Sequence, residues 1–222
     1  MALLTVWALL AIGVIAALIG RIQLASDLLA GNTRGLTPSD VNESDNLVAS
    51  TTLAESALYV LVAVAFLVWL HRVVTNSHGL GEQGLRFTPG WAVGWWFIPF
   101  ANLVRPAQVM SETWRASDPQ HTRSDVRSRR QVSIAVVGLW WALFLLGSVI
   151  GRFAAVGSNA STLDGLRTNA EAAIGASVIL ILAAGVLTWL MMRITQRQAA
   201  KAQALIQPSQ PPPPPPPPPP VP

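Results

Sequence analysis

Few side chains in this chain can do chemistry, and two of them stand where a membrane pump would want an acid. Glu55 and Glu171 open strongly apolar stretches in a shared frame, T-x-A-E-x-A, as Thr52-Leu-Ala-Glu55-Ser-Ala57 and Thr168-Asn-Ala-Glu171-Ala-Ala173. A carboxylate on a membrane helix suggests an ion or proton site. The same spacing carries a plainer role, because T-x-x-E is a capping box: the threonine accepts from one free amide and the glutamate reaches back to another. Thr52, Glu55, Thr168 and Glu171 are therefore expected to cap helices at the outer surface, with Arg21 paired to Glu55 and Arg152 to Glu171. His71, His78 and His121 share one polar stretch, but the chain has no cysteine and no paired acids stand near them, so no metal site is expected. There is no Walker loop, no dinucleotide glycine fingerprint and no G-x-S-x-G. No Asp, Glu or His falls in the middle of an apolar run, which argues against a proton-coupled pump. No catalytic residue and no cofactor are expected, and the protein reads as non-enzymatic.

The elements that hold these residues are set by hydropathy. About half of the 222 residues are hydrophobic and only 12% are charged, whereas a soluble domain carries about a quarter. Four apolar runs, at about 3–20, 54–70, 132–151 and 172–192, approach the roughly 20 residues that cross a bilayer. The first lacks the basic flank and cleavage pattern of a signal peptide and reads as a retained helix. Arginine and lysine alternate across the runs: none precedes the first, two, eight and two lie in the successive connections, and three follow the last. By the positive-inside rule both termini and the middle connection are cytoplasmic. The expectation is an all-α protein of the cell membrane with four transmembrane helices in residues 1–206, followed by a disordered polyproline tail over 207–222. The repeated T-x-A-E-x-A, and Ile19-Gly20-Arg21 against Ile150-Gly151-Arg152, suggest two hairpins related by a pseudo-twofold axis along the membrane normal. Gly147 and Gly151 form a G-x-x-x-G that suits either internal helix packing or a homo-oligomer. Trp7, Trp69 and Trp189 fit an aromatic belt at the cytoplasmic ends of their helices, and Trp140 and Trp141 fit packing within the third.

The middle connection holds an unusual block, PGWAVGWWFIPFANLVRP, over residues 89–106. Its apolar part is short for a span, and Pro99 breaks any helix through it. The block therefore lies flat or goes in and comes back. In the flat reading an interfacial collar over 89–116 sinks Trp91, Trp95, Trp96, Phe97, Phe100, Met110 and Trp114 into the inner leaflet. Arg105 and Arg115 stay at the phosphates, with Ala107, Met110 and Trp114 on one side of an amphipathic helix. The arginines of HTRSDVRSRR would meet anionic head groups. In the re-entrant reading residues 94–103 enter the membrane, Gly94 permits close approach, Pro99 ends a half-helix and Asn102 is the polar side chain at depth.

Trp91, Trp96-Phe97, Pro99, Asn102-Leu103, Pro106 and Trp114 together make a pattern of G-W, W-F-x-P, N-L, a proline and a tryptophan. In this the chain resembles an uncharacterised bacterial, actinobacterial-type family of integral membrane proteins, domain of unknown function 4328, over residues 1 to about 200 but not in the outer loops. The resemblance implies a four-helix membrane protein and supplies no activity.

Pro211–Pro220 is an unbroken run that would form a polyproline II rod of about 31 Å. It would serve as a spacer or as the ligand of a cytoplasmic protein. The formal charge of +4 is small, and no nucleic-acid partner is expected. Two functions follow: a scaffold or sensor presenting a Trp-rich collar and a proline-rich tail, or a small channel or carrier with residues 94–103 re-entrant.

Overall fold

The computed structural model describes residues 2–32, 37–118, 126–156 and 162–206. Among these the chain is helical: α1 is Ala2–Leu29, α2 Pro38–Gly79, α3 Pro89–Gly94, α4 Arg105–Ala116, α5 Val126–Val156 and α6 Leu163–Ile206. A single 3-10 turn, Ala101–Leu103, precedes α4. Four helices (α1, α2, α5 and α6) are long and apolar enough to cross a membrane. The polyproline run and HTRSD lie outside the described residues, as do the side chains of the arginines at 127–130.

The helices are longer than the apolar runs that announce them. Hydropathy marks the part of a helix that suits lipid, but the backbone ladder continues until something stops it. At the end of α2 the stop is Leu80-Gly81, where Gly81 takes a left-handed φ of 80°. Its beginning is set by Thr37 and Pro38, with proline at the first helical position. The polar residues 38–53, ahead of the second apolar run, are therefore the first turns of α2. The fourth helix runs through the Gln/Ala-rich stretch to Ile206, which has nothing to break it.

This corrects the capping assignment. Thr52 and Glu55 lie inside α2, and Thr168 and Glu171 inside α6, where the amides are already bonded along the helix and none is free to cap. The capping box that starts α2 is Thr37 with Asp40: the Thr37 amide donates to Asp40 Oδ2 at 2.6 Å and its hydroxyl donates to the same oxygen at 2.8 Å. These two bonds hold the Asp40 carboxyl below the ordinary aspartate range. Thr168 donates to the Asp164 carbonyl one turn back. The ion pairs differ too. Arg21 meets Asp45 at 2.9 Å, and Glu171 meets Arg167, one turn away on its own helix, at 2.9 Å.

α1 packs along α2 and α6, and α5 packs along α6. Gly147 and Gly151 serve this internal packing: a Cβ on Gly147 would lie 2.8 Å from Leu180, and one on Gly151 3.6 Å from Ala176. α2 and α5 meet less extensively, through Phe66 on α2 and Trp140 on α5, whose rings lie 6.3 Å apart. Between them, at the end of the bundle where α1 begins and α6 ends, sits the tryptophan block, with α3 against α2 and α4 against α5.

Candidate functional site

Thr88-Pro89 starts α3, and the Ala92 amide closes the first turn on the Thr88 carbonyl. The helix ends at Gly94, where a Cβ would press on the Trp91 ring at 3.3 Å. The chain then folds through tight turns. Phe100 has a φ of 63°, a left-handed conformation uncommon for a bulky residue. A proline before it and a 3-10 turn after it hold this bend, so Pro99 turns the chain back rather than ending a half-helix.

The bend divides the block. Trp96 enters the bundle, with its ring 5.2 Å from Phe66, 5.6 Å from Trp141 and 6.2 Å from Phe144, each near edge-to-face. Trp141 fixes the return strand by donating from Nε1 to the Leu103 carbonyl at 2.8 Å. Trp140 is fully buried beside it. The two mid-helix tryptophans of α5 thus pack within the protein and receive the block. On the other side, Trp91 stacks with Trp95 at 4.9 Å and the Arg105 guanidinium lies 5.1 Å over Trp95. Phe97 and Phe100 are 72% and 86% exposed, and Leu103 and Val104 are exposed with them. One half of the block is built into the bundle and the other faces outward.

α4 departs from the collar expectation more fully. Met110 and Trp114 do not face lipid but are buried in protein, together with Pro106, Val109 and Thr113. Trp114 stacks on Trp189 at 5.5 Å, and the Arg197 guanidinium caps its other face at 4.0 Å. Nor is Trp7 at an interface: it is buried beside Tyr59.

Polar groups lock this end. Glu112 accepts from the backbone amides of Arg86 and Phe87 at 2.9 and 3.1 Å, drawing the connection after α2 onto α4. His78 spans to the Phe87 carbonyl at 3.2 Å. Gln198, buried on α6, donates to the Val73 carbonyl at 2.8 Å and the Ser77 hydroxyl at 3.1 Å, and accepts from Asn76. Lys201 pairs with Glu82 and donates to the Ala116 carbonyl, which closes the end of α4. None of these contacts was legible in motifs. A signal for Gln198 and Lys201 does exist: Leu187, Leu190, Met191, Ile194, Gln198 and Lys201 continue one helical stripe past the apolar run.

Above Trp96 lies a cavity of about 400 Å³ reached by all four long helices. Asn102 and Trp96 are at one end, and Tyr59, Ser148 and Arg152 line it further along. The indole N–H groups of Trp7 and Trp96 and the Oδ1 of Asn102 are buried and have no hydrogen-bond partner among the described residues. Of the residues expected here, Trp96 and Asn102 line this cavity, Trp95 and Arg105 meet each other outside its lining, Trp91, Phe97 and Pro99 are exposed, and Glu55 and Glu171 are absent from the cavity lining. Among the described residues no cluster of His, Asp and Glu is grouped to hold a metal.

Four long apolar helices closed at one end by an inserted aromatic block define a multi-pass membrane protein. The chain matches domain of unknown function 4328 over residues 32–196, and it belongs to that family. The match takes in the exposed beginning of α2 and leaves out α1, where the resemblance was expected from residue 1 and not in the outer loops. No curated protein and no solved structure matches the chain.

Proposed function

We propose that this chain is a non-enzymatic membrane scaffold and sensor. Its bundle holds the tryptophan block as an in-and-back plug, and the plug carries a rigid platform made from α4 and the ends of α2 and α6. The observation that carries this reading is the insertion of Trp96 among Phe66, Trp141 and Phe144, with Trp141 bonded to Leu103. A segment gripped in this way moves only when the helices around it move, so a change inside the bundle reaches the platform. The arginine distribution supports a cytoplasmic platform and cytoplasmic termini in the cell membrane. There the exposed Phe97 and Phe100 meet the inner leaflet, and the polyproline tail stands ready for a proline-binding partner. The shared T-x-A-E-x-A frame supports two hairpins related by a pseudo-twofold axis.

The second reading is a small channel or carrier, and the half-buried Asn102 in the cavity lining favours it. The plug counts against it, because the aromatic cluster closes the path below Asn102. Liposomes containing the full chain separate the two. The scaffold predicts no flux of small ions or solutes above protein-free vesicles. Flux that Asn102→Ala stops, and that deletion of residues 208–222 leaves alone, sinks the scaffold and establishes the carrier.

A further inference from the structure

A groove of about 450 Å³ runs between α4 and α5, and its two walls belong to different surroundings. On α4 the wall is Ala107, Gln108, Ser111, Glu112 and Arg115, which share one helical face opposite the buried Met110 and Thr113. On α5 it is Val137, Gly138 and Trp141, near the start of that helix's apolar run. One wall therefore belongs to a polar surface helix and the other to a membrane span. The groove lies where lipid gives way to water.

Its polar end is built from two arginines. The Arg86 amide donates to Glu112, which sets Arg86 beside the last turns of α4, and its guanidinium lies 5.7 Å over the Phe87 ring. Arg115 follows Glu112 by three residues, and its Nε donates to the Ser111 carbonyl at 3.1 Å, folding the side chain back along α4. Both arginines are exposed. Among the described residues neither forms an ion pair. The lining holds one negative charge, Glu112, whose Oε1 is already bonded to the amides of Arg86 and Phe87. One positive charge is left over. Gln108 accepts from Arg105 on its oxygen at 3.0 Å, which leaves its NH2 to donate.

The other end is apolar and open. Leu103 and Val104 line it and are 53% and 54% exposed. Gly138 adds space there, since a Cβ on it would meet no atom within 4 Å. A soluble anion would use the arginine end and leave the apolar end unfilled. A hydrocarbon chain alone would leave both arginines without an anion. A zwitterionic lipid would bring a further cation to a place that already has two. A lipid with an anionic phosphate and no such cation satisfies both ends at once.

We propose that the groove between α4 and α5 binds one anionic phospholipid. Arg86 and Arg115 hold its phosphate, and an acyl chain passes Gly138, Leu103 and Val104 into the bilayer. The site requires only that the bundle sit in a membrane, and it stands whether or not the platform recruits a partner.

The test uses the full chain in detergent and radiolabelled phosphatidylglycerol, read by scintillation proximity. Saturable binding is expected, displaced by unlabelled phosphatidylglycerol but not by phosphatidylcholine or glycerol phosphate at the same concentration. Arg86→Gln and Arg115→Gln should each weaken it about fivefold, the worth of one arginine beside an anionic lipid. Gly138→Phe, which fills the groove and leaves every charge in place, should abolish it. Arg72→Gln, at an exposed arginine of α2 outside the groove, should leave it unchanged. Because Arg86 and Arg115 are exposed, their variants carry the test if Gly138→Phe does not yield monodisperse protein. Failure of the wild-type chain to bind saturably overturns the proposal, as does a loss in Arg72→Gln equal to that in the groove variants, the mark of general attraction to a basic surface. Displacement by glycerol phosphate overturns it in favour of a free-phosphate site, and displacement by phosphatidylcholine in favour of unselective lipid binding.

Discussion

The two ends of the bundle are built on different principles. At the end where α1 begins and α6 ends, the helices are tied by a buried aromatic cluster, by Glu112 on two backbone amides, and by Gln198 and Lys201 reaching from α6 to α2 and α4. Among the described residues the opposite end has a small buried cluster of Val14, Leu18 and Ala170, an Arg21–Asp45 pair between α1 and α2, and an exposed Arg167–Glu171 pair within α6. Buried, hydrogen-bonded polar groups specify one arrangement far more strongly than exposed ion pairs do. The difference teaches that, among the described residues, the ties that specify one arrangement gather at the end where the platform sits.

Breaking the platform end should cost most. Trp114→Ala removes a buried ring lying between Trp189 and Arg197 and should destabilise the protein by about 3–5 kcal/mol, measured as the shift of the unfolding midpoint in detergent. Gln198→Leu strips the Ser77 hydroxyl and the Val73 carbonyl of their donor and should cost about 1–3 kcal/mol in the same assay. Hydrogen exchange should quicken at the ends of α2 and α6 and stay unchanged in α1. If exchange rises evenly along the bundle instead, the two ends are not independent. Arg21→Gln, at the opposite end, should shift the midpoint by less than about 1 kcal/mol. A loss as large as that of Gln198→Leu would erase the contrast.

The smallest effect concerns the start of α2. Asp40 is more acidic in the folded chain than in the unfolded one, so its contribution is fully present above the ordinary aspartate range. It disappears as pH falls through the lowered value. Acidification should therefore fray the first turn of α2, seen as faster exchange at residues 38–42, while Asp40→Asn should show this fraying without pH dependence.

The sequence made the four long helices plain because each carries an apolar run near bilayer length, and such a run has few other uses. It made the bend at Pro99 plain for the same local reason. It misplaced the caps, because T-x-x-E describes a spacing and says nothing of where the helix begins. The polar turns of α2 before Thr52 are as compatible with helix as with loop. The fate of Trp114 was hidden for another reason. An amphipathic helix beside a membrane has the same pattern whether its apolar face meets lipid or protein, and here the deciding partners, Trp189 and Arg197, lie more than seventy residues away. Asn102 was read as a polar side chain at depth only in the re-entrant alternative and Trp96 as part of an inner-leaflet collar, and neither was legible as one wall of a cavity, since its other walls come from four separate helices.

The length of α6 has a mechanical consequence. Its 44 residues span about 66 Å, roughly twice a hydrocarbon core of about 30 Å. The part from Arg193 to Ile206 projects beyond the apolar run as a stiff arm of about 20 Å. Rotating that arm about its root by ten degrees, a small change for packed helices, sweeps its tip sideways by about 3–4 Å. Because Gln198 and Lys201 bind the arm to α2 and α4, the sweep is shared by the whole platform. A sub-ångström adjustment between helices near Trp96 is thus magnified into a displacement of atomic dimensions at the surface where the tail begins.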